Sequence, residues 1–278
     1  VIKVSGIEDL EEEIFGPVLH VATYKANDMD KVVDAINDSH YGLTFGVHTR
    51  IDTLVNKLCN SLNVRNLYVN RNQIGAVVGS QPFGGEGLSG TGPKAGGPDY
   101  LKRFVLPDLA TNHPYPTATL SLEDVQNHLN KCKRPKQSAL HSVILPGPTG
   151  ELNQLSTYAR GLVLCLGPTL TQARDQARDA QSSGCTTIII AQNANPEEGL
   201  SGTMPLSFLE HLSGYDAVIL WAEESSLRKA RFAMANRTGA LLPLIDAHDV
   251  VERCTLERHV CIDTTAAGGN AALLAADS

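Results

Sequence analysis

Asn66-Leu67-Tyr68-Val69-Asn70 runs without a break into Arg71-Asn72-Gln73-Ile74-Gly75-Ala76-Val77-Val78-Gly79-Ser80-Gln81-Pro82-Phe83-Gly84-Gly85-Glu86-Gly87-Leu88-Ser89-Gly90-Thr91-Gly92-Pro93-Lys94-Ala95-Gly96-Gly97. The first five residues read as a strand, and the remainder holds a large share of the chain's 24 glycines. Glycine serves where φ must be positive or where backbone must approach another group closely. Val77, Val78, Phe83 and Leu88 interrupt the glycines, which excludes a flexible Gly/Ser linker. Two readings stand: an ordered loop offering backbone N–H groups to a ligand, and a tight packing turn without one.

Upstream of this stretch the pattern alternates. Glu11-Glu12-Glu13 precedes Ile14-Phe15-Gly16-Pro17-Val18-Leu19-His20-Val21, which reads as a strand. Met29, Val32, Val33 and Ile36 recur at i, i+3, i+4, i+7, with Asp28 placed to cap the helix and Gly42 to close it. Leu43 to Val47 alternates as a strand, and Leu54, Val55, Leu58 and Leu62 mark a second helix from about Ile51. Strand and helix alternating in this way predict an α/β layered domain.

Downstream, the breakers between Pro107 and Pro116 mark a boundary. Leu120 to Leu129 predicts a short helix, and the basic run from His128 to Lys136 reads as a solvated connector. From Leu162 the order is regular: strands at 162–166, 187–191, 217–222, 241–245 and 260–262, with helices carrying Leu170, Ala173, Ala177 and Ala180, then 206–212, then Leu227, Ala230 and Met234. Continuous apolar strands separated by helices predict a parallel, Rossmann-like sheet. Its first turn, Gly167-Pro168-Thr169-Leu170, lacks two glycines of a dinucleotide fingerprint, and Pro168 removes an N–H that a pyrophosphate would use. A non-binding structural domain is the favoured reading, with a nucleotide-binding or assembly module as the alternative.

Composition narrows the classes. Across 278 residues, 42% are hydrophobic and 19% charged, enough for sizeable cores. A net charge of −7 argues against nucleic acid as a partner. No apolar run approaches the roughly eighteen residues that span a bilayer. The six cysteines are scattered without a CxxC pair, with Cys165 and Cys59 on apolar faces, as in a cytoplasmic protein with reduced thiols. The nine histidines show no metal-ligand spacing. The opening Val1-Ile2-Lys3-Val4 is that of a strand already under way and predicts an excised fragment. Two phosphate motifs inside the glycine stretch fail on context: Gly90 to Ala95 is followed by Gly96-Gly97-Pro98 where a helix should start, and Pro93 stands where a P-loop needs lysine.

The segments Glu13-Ile14-Phe15-Gly16-Pro17-Val18, Tyr41-Gly42-Leu43-Thr44, Asn66 to Asn70 and Gln81-Pro82-Phe83-Gly84-Gly85 resemble the aldehyde dehydrogenase superfamily. Gly75 to Gly79 and Lys94 to Pro98 resemble its glutamate-semialdehyde branch, in the form joined to a flavin-dependent proline dehydrogenase; Asp263 to Ala271 resembles the closing motif of those bifunctional enzymes. The resemblance implies residues 1–108 as the C-terminal part of a catalytic domain, and 109–278 as an accessory Rossmann-like domain with a tail motif. It implies NAD as cofactor, with Glu13 on the nicotinamide ribose and Phe15 beside it. The substrate would be glutamate semialdehyde, its α-carboxylate on the Gly75 and Ala76 N–H groups and its methylenes along Phe83. FAD would belong to the proline dehydrogenase elsewhere in the parent.

The resemblance also implies that the second domain covers a tunnel between two active sites, with Gly268-Gly269 fitting closely against a neighbouring surface. Upstream domains of the same polypeptide would be partners, and the parent would be a cytoplasmic homo-oligomer, peripheral on the inner membrane through its flavin domain. The family's nucleophilic cysteine and general-base glutamate lie well upstream of the Glu13 motif, and only twelve residues precede Glu13 here. No catalytic residue is therefore expected in this chain, and no turnover by it alone.

Overall fold

A computed structural model describes residues 1–105, 108, 113–134 and 138–265. Two five-stranded sheets form its frame, with helices from Met29–Asp38 (α1), Asp52–Ser61 (α2), Leu122–Lys131 (α3), Leu170–Ser182 (α4), Glu224–Ala235 (α5) and Val250–Arg253 (α6). The ten strands of these two sheets, in chain order, are Thr44–Val47 (β1), Asn66–Val69 (β2), Ala139–Leu145 (β3), Glu151–Ala159 (β4), Leu162–Cys165 (β5), Thr186–Ala191 (β6), Gly199–Ser201 (β7), Ala217–Ile219 (β8), Leu244–Ile245 (β9) and Thr255–Asp263 (β10). The α/β class read from the sequence is the class observed.

The parallel sheet has the order β7-β6-β5-β8-β9. Numbered along the chain this is 3-2-1-4-5, the Rossmann order 3-2-1-4-5-6 without its sixth strand. Both faces are covered, which is why the strands are mostly apolar. On one face Leu162, Leu164, Ile188, Ile190 and Val218 pack with Val125 and Leu129 of α3 and Leu227, Ala230 and Ala233 of α5. On the other, Val163, Cys165, Ile189, Ala217 and Ile219 meet Ala173, Ala177 and Ala180 of α4 and Val250 of α6. Thr169 and Gln172 form a capping box at the start of α4, satisfying backbone donors that would otherwise be orphaned.

The mixed sheet has the order β1-β2-β10-β4-β3. β1, β2 and β10 are parallel, whereas β4 runs antiparallel to β10 and β3 antiparallel to β4. The sheet thus combines strands from before residue 108 with strands from after it. Residues 260–262, expected in the parallel sheet, belong instead to β10 at the centre of this one. The polar run Glu257-Arg258-His259 conceals most of that strand in the sequence, yet all three side chains are buried. A small core of Val33, Leu58, Leu62, Val64 and Leu67 joins α1 and α2 to β2.

Local readings differ at three places. Only His20–Val21 of the expected 14–21 strand is extended, paired in parallel with Ile2–Lys3. Gly16 takes a left-handed φ of 118° and Pro17 has no N–H, so the preceding residues cannot join a ladder. The α1 helix stops at Asp38, before Gly42, with His40 left-handed at φ 60°. Asp28 makes no capping bond and instead pairs with Lys31 at 2.9 Å. Gly42 has another duty: a Cβ there would lie 2.4 Å from the Asn63 carbonyl oxygen, so only glycine permits the approach. Parts of the 107–116 boundary and the Gly268-Gly269 tail lie outside the described residues.

Candidate functional site

The site begins where β2 ends. Asn66, Leu67, Tyr68 and Val69 are all buried, and Asn70 then adopts φ 59° and turns the chain out of the sheet. Its side-chain oxygen accepts the Thr49 N–H at 2.9 Å, which offsets part of the strain of a left-handed asparagine. The loop that follows projects outward, with Ile74 90% and Val78 99% exposed. Gly79 turns at φ 88°, and the Val77 carbonyl accepts from Ser80 and Gln81.

Gly75 and Ala76 sit on this projection. A Cβ added at Gly75 would meet nothing within 4 Å. Neither the Gly75 nor the Ala76 N–H donates to an acceptor among the described residues. Two successive N–H groups without partners among the described residues form an arrangement suited to a carboxylate or another anion.

The base of the loop is held by one carboxylate. Glu151, the first residue of β4, accepts from Arg71 Nη1 on Oε2 at 2.8 Å and from Gln81 Nε2 on Oε1 at 2.8 Å. Asn153 Nδ2 adds a third bond to Oε1 at 2.8 Å. Gln81 turns its own Oε1 back to accept the Val77 N–H at 3.0 Å, which fixes the orientation of its amide. Arg71 also stands 5.4 Å from the centre of the Tyr68 ring.

Beyond Gln81 the glycine stretch doubles back. Phe83 and Ala95 exchange backbone hydrogen bonds of 3.0 and 2.7 Å, and Glu86–Gly87 pairs with Tyr41–Gly42. Lys94 pins this fold from inside: its Nζ donates to Asn66 Oδ1 at 2.6 Å and to the Gly84 carbonyl at 2.7 Å, and its N–H to Glu257 Oε2 at 2.7 Å. Burial lowers the Lys94 ammonium to about 7. Behind it, Arg65 and Glu86 form a buried ion pair, and His259, lowered to about 4 by burial, contacts Asn153 through Nε2. A cavity of about 560 Å³ is lined by Gly84, Thr91 and Lys94 together with Arg160, Asp249 and Glu257; Gly75 and Ala76 do not line it.

The predicted site residues fall into two groups. Gly75, Ala76 and Phe83 share the glycine stretch, whereas Glu13 and Phe15 lie on the exposed segment leading to His20–Val21. No hydrogen bond among the described residues joins the groups. Phe15 is 85% exposed and the Glu13 carboxylate engages no partner among the described residues, so both are available to a ligand. Glu151, Arg71, Gln81 and Lys94 escaped the sequence reading. A lysine inside a glycine-rich, partly apolar run was the one signal for Lys94; nothing local marks Glu151.

The thiols are poorly suited to attack. Burial raises Cys59, Cys132 and Cys165, and raises Cys261 to about 11. Cys261 Sγ accepts from Arg71 and Gln81 at the loop base, at 3.1 and 3.4 Å. Cys185 and Cys254 sit in the parallel-sheet core, where their mutual hydrogen bonding lowers the first and raises the second.

The first turn of the parallel sheet is internally satisfied. The Gly167 N–H donates to Gln176 Oε1 at 3.1 Å, while Gln176 Nε2 and the Trp221 N–H both donate to the Gly167 carbonyl. The N–H that would open a phosphate cradle is therefore taken. No helix among the described residues is long and apolar enough to cross a membrane.

Comparison with known proteins places this geometry. Residues 7–107, which include both groups of predicted site residues, match the model described as the aldehyde dehydrogenase family, whose members generally use NAD(P). Over most of its length the chain resembles a C-terminal portion of bifunctional protein PutA. It is 36% identical to the Klebsiella aerogenes protein of that name over 96% of this chain and 23% of the relative. A 1-pyrroline-5-carboxylate dehydrogenase 1 from Halalkalibacterium halodurans is 52% identical over 33% of this chain and 18% of its own length. Proline utilization A from Corynebacterium freiburgense shares the fold at a TM-score of 0.57 and 18% identity, over 91% of this chain and 26% of that one. The chain thus spans about a quarter of the length of the curated PutA relatives it matches.

Proposed function

We propose that this chain is part of a bifunctional proline-catabolic enzyme and supplies the substrate-anchoring side of a site that oxidises L-glutamate γ-semialdehyde to glutamate. The observation that carries the reading is the pair of unengaged N–H groups at Gly75 and Ala76, on a loop clamped at its base. They would bind the α-carboxylate without requiring another buried charge. Phe83, two residues beyond the clamp, would lie along the methylenes and exclude water from them. Glu13 would accept hydrogen bonds from the nicotinamide ribose hydroxyls, and Phe15 would pack beside the ring. NAD, when bound, supplies the acceptor for the hydride.

The nucleophilic cysteine and the general base would come from upstream parts of the same polypeptide, since five of the six thiols are raised and Cys185, the one lowered, is buried in the parallel-sheet core. The proline dehydrogenase part, with its FAD, would also lie there; no residue of this chain is assigned to the flavin. The second half would cover the route by which the semialdehyde passes between sites. The parent is read as a cytoplasmic homo-oligomer, peripheral on the inner membrane through its flavin part. The rival reading, a nucleotide-binding module, is disfavoured by the Gln176 side chain that occupies the Gly167 turn.

NADH production distinguishes the proposal. With pyrroline-5-carboxylate, which hydrolyses to the semialdehyde, the intact protein is expected to turn over and the purified chain to give none. Turnover by the purified chain would overturn the division of the site.

A further inference from the structure

The loop bearing Gly75 and Ala76 has little of its own to hold its shape. Ile74 and Val78 point into solvent, so no apolar packing fixes its tip. At its base one carboxylate receives both ends, Arg71 on one oxygen and Gln81 on the other, with Cys261 Sγ a second acceptor for the same two side chains. From Gln81 the restraint continues through Oε1 to the Val77 N–H, on the residue directly after Ala76. Glu151 is thus linked to the peptide adjoining the anchor by two successive hydrogen bonds. Its two loop partners, Arg71 and Gln81, are 80 and 70 residues away along the chain, and β4 belongs to the half after residue 108.

We infer that Glu151 is a positioning residue for substrate recognition, by which the second half of the chain sets the direction of the Gly75 and Ala76 N–H groups. The inference rests on the anchor role proposed above. Arg71 has a double part in it. Its guanidinium ties the first end of the loop, and it neutralises Glu151, so that no uncompensated negative charge lies beneath a site meant for a carboxylate. Glutamine cannot replace Glu151: it offers one acceptor oxygen where the loop presents donors to two, so one donor would face an amide NH₂. Hydrogen bonds in which one partner is ionised are the stronger kind, and all three bonds to this carboxylate have that character.

The test compares two aldehydes in the intact protein. Glutamate semialdehyde carries the α-carboxylate; pentanal has the same carbon count without it. In Glu151→Gln, the ratio of kcat/KM for the semialdehyde to that for pentanal is expected to fall about tenfold, carried by the semialdehyde's KM. Gln81→Met breaks the relay to Val77 while leaving the Glu151–Arg71 pair, and should shift the same ratio in the same direction. An equal loss for both aldehydes, or an unchanged ratio, overturns the role of Glu151; should Glu151→Gln fail to fold, Gln81→Met decides. The anchor itself is judged separately by Ala76→Pro. If that variant raises the semialdehyde KM while Glu151→Gln does not, only the tie is wrong. If neither raises it, the anchor reading fails first.

Discussion

Lys94 Nζ and Asn66 Oδ1 are joined by a 2.6 Å hydrogen bond sealed from solvent. The bond fastens the returning arm of the glycine stretch to the strand from which it departs. Lys94 has no carboxylate at its Nζ, and burial accordingly lowers it to about 7 from an ordinary 10.5. Between those values the folded chain holds Lys94 neutral while the unfolded chain holds it charged, so unfolding takes up a proton. Stability attributable to Lys94 therefore rises as pH increases from about 7 towards 10.5. Denaturant titrations of the wild type and Lys94→Met between pH 7 and 9 should show the wild type gaining on the variant with pH. Parallel curves would contradict the lowered value.

His259 predicts a second pH window. Burial lowers it to about 4 from 6.5, so it stays neutral in the folded chain while the unfolded chain takes up a proton. Its contribution is complete above pH 6.5 and is lost as pH falls towards 4, on the order of 3 kcal/mol in all. His259→Gln, compared with the wild type by denaturation at pH 4 and 7, should lose less stability on acidification. An equal acid loss in both proteins would refute the assignment.

Two glycines should respond oppositely to alanine. At Gly42 a Cβ would meet the Asn63 carbonyl oxygen at 2.4 Å and Glu86 Cγ at 2.8 Å, whereas at Gly75 it would meet nothing within 4 Å. Gly42→Ala is expected to cost about 1–3 kcal/mol in denaturant titration. Gly75→Ala should leave the unfolding midpoint in place, which makes it the cleaner probe of binding at that loop.

The elements legible in the sequence were those whose stability comes from their own apolar pattern. The stripe Met29, Val33 and Ile36 found α1, and the uninterrupted Leu162 to Cys165 and Thr187 to Ala191 found the centre of the parallel sheet. β4 and most of β10 were not legible, because most of their buried side chains are polar and are satisfied only by tertiary partners. Glu257 receives the Lys94 N–H, Arg258 donates to the Cys59 and Leu62 carbonyls, and His259 meets Asn153. A polar residue buried by a partner more than 100 positions away leaves no periodic trace. The same holds for the site. Gly75, Ala76 and Phe83 came from family resemblance, while the Glu151 clamp joins positions that only the folded sheet brings together.

The Gly75 and Ala76 N–H groups are proposed to anchor the carboxylate of glutamate semialdehyde. The most direct test of this role is the steady-state KM for that aldehyde in the intact protein carrying Ala76→Pro, which deletes one of the two donors. A hydrogen bond to a charged group is worth about 1.5–3 kcal/mol, so the KM should rise by roughly ten- to a hundredfold. The KM for pentanal should change far less. A semialdehyde KM and kcat both equal to those of the wild type would contradict the account.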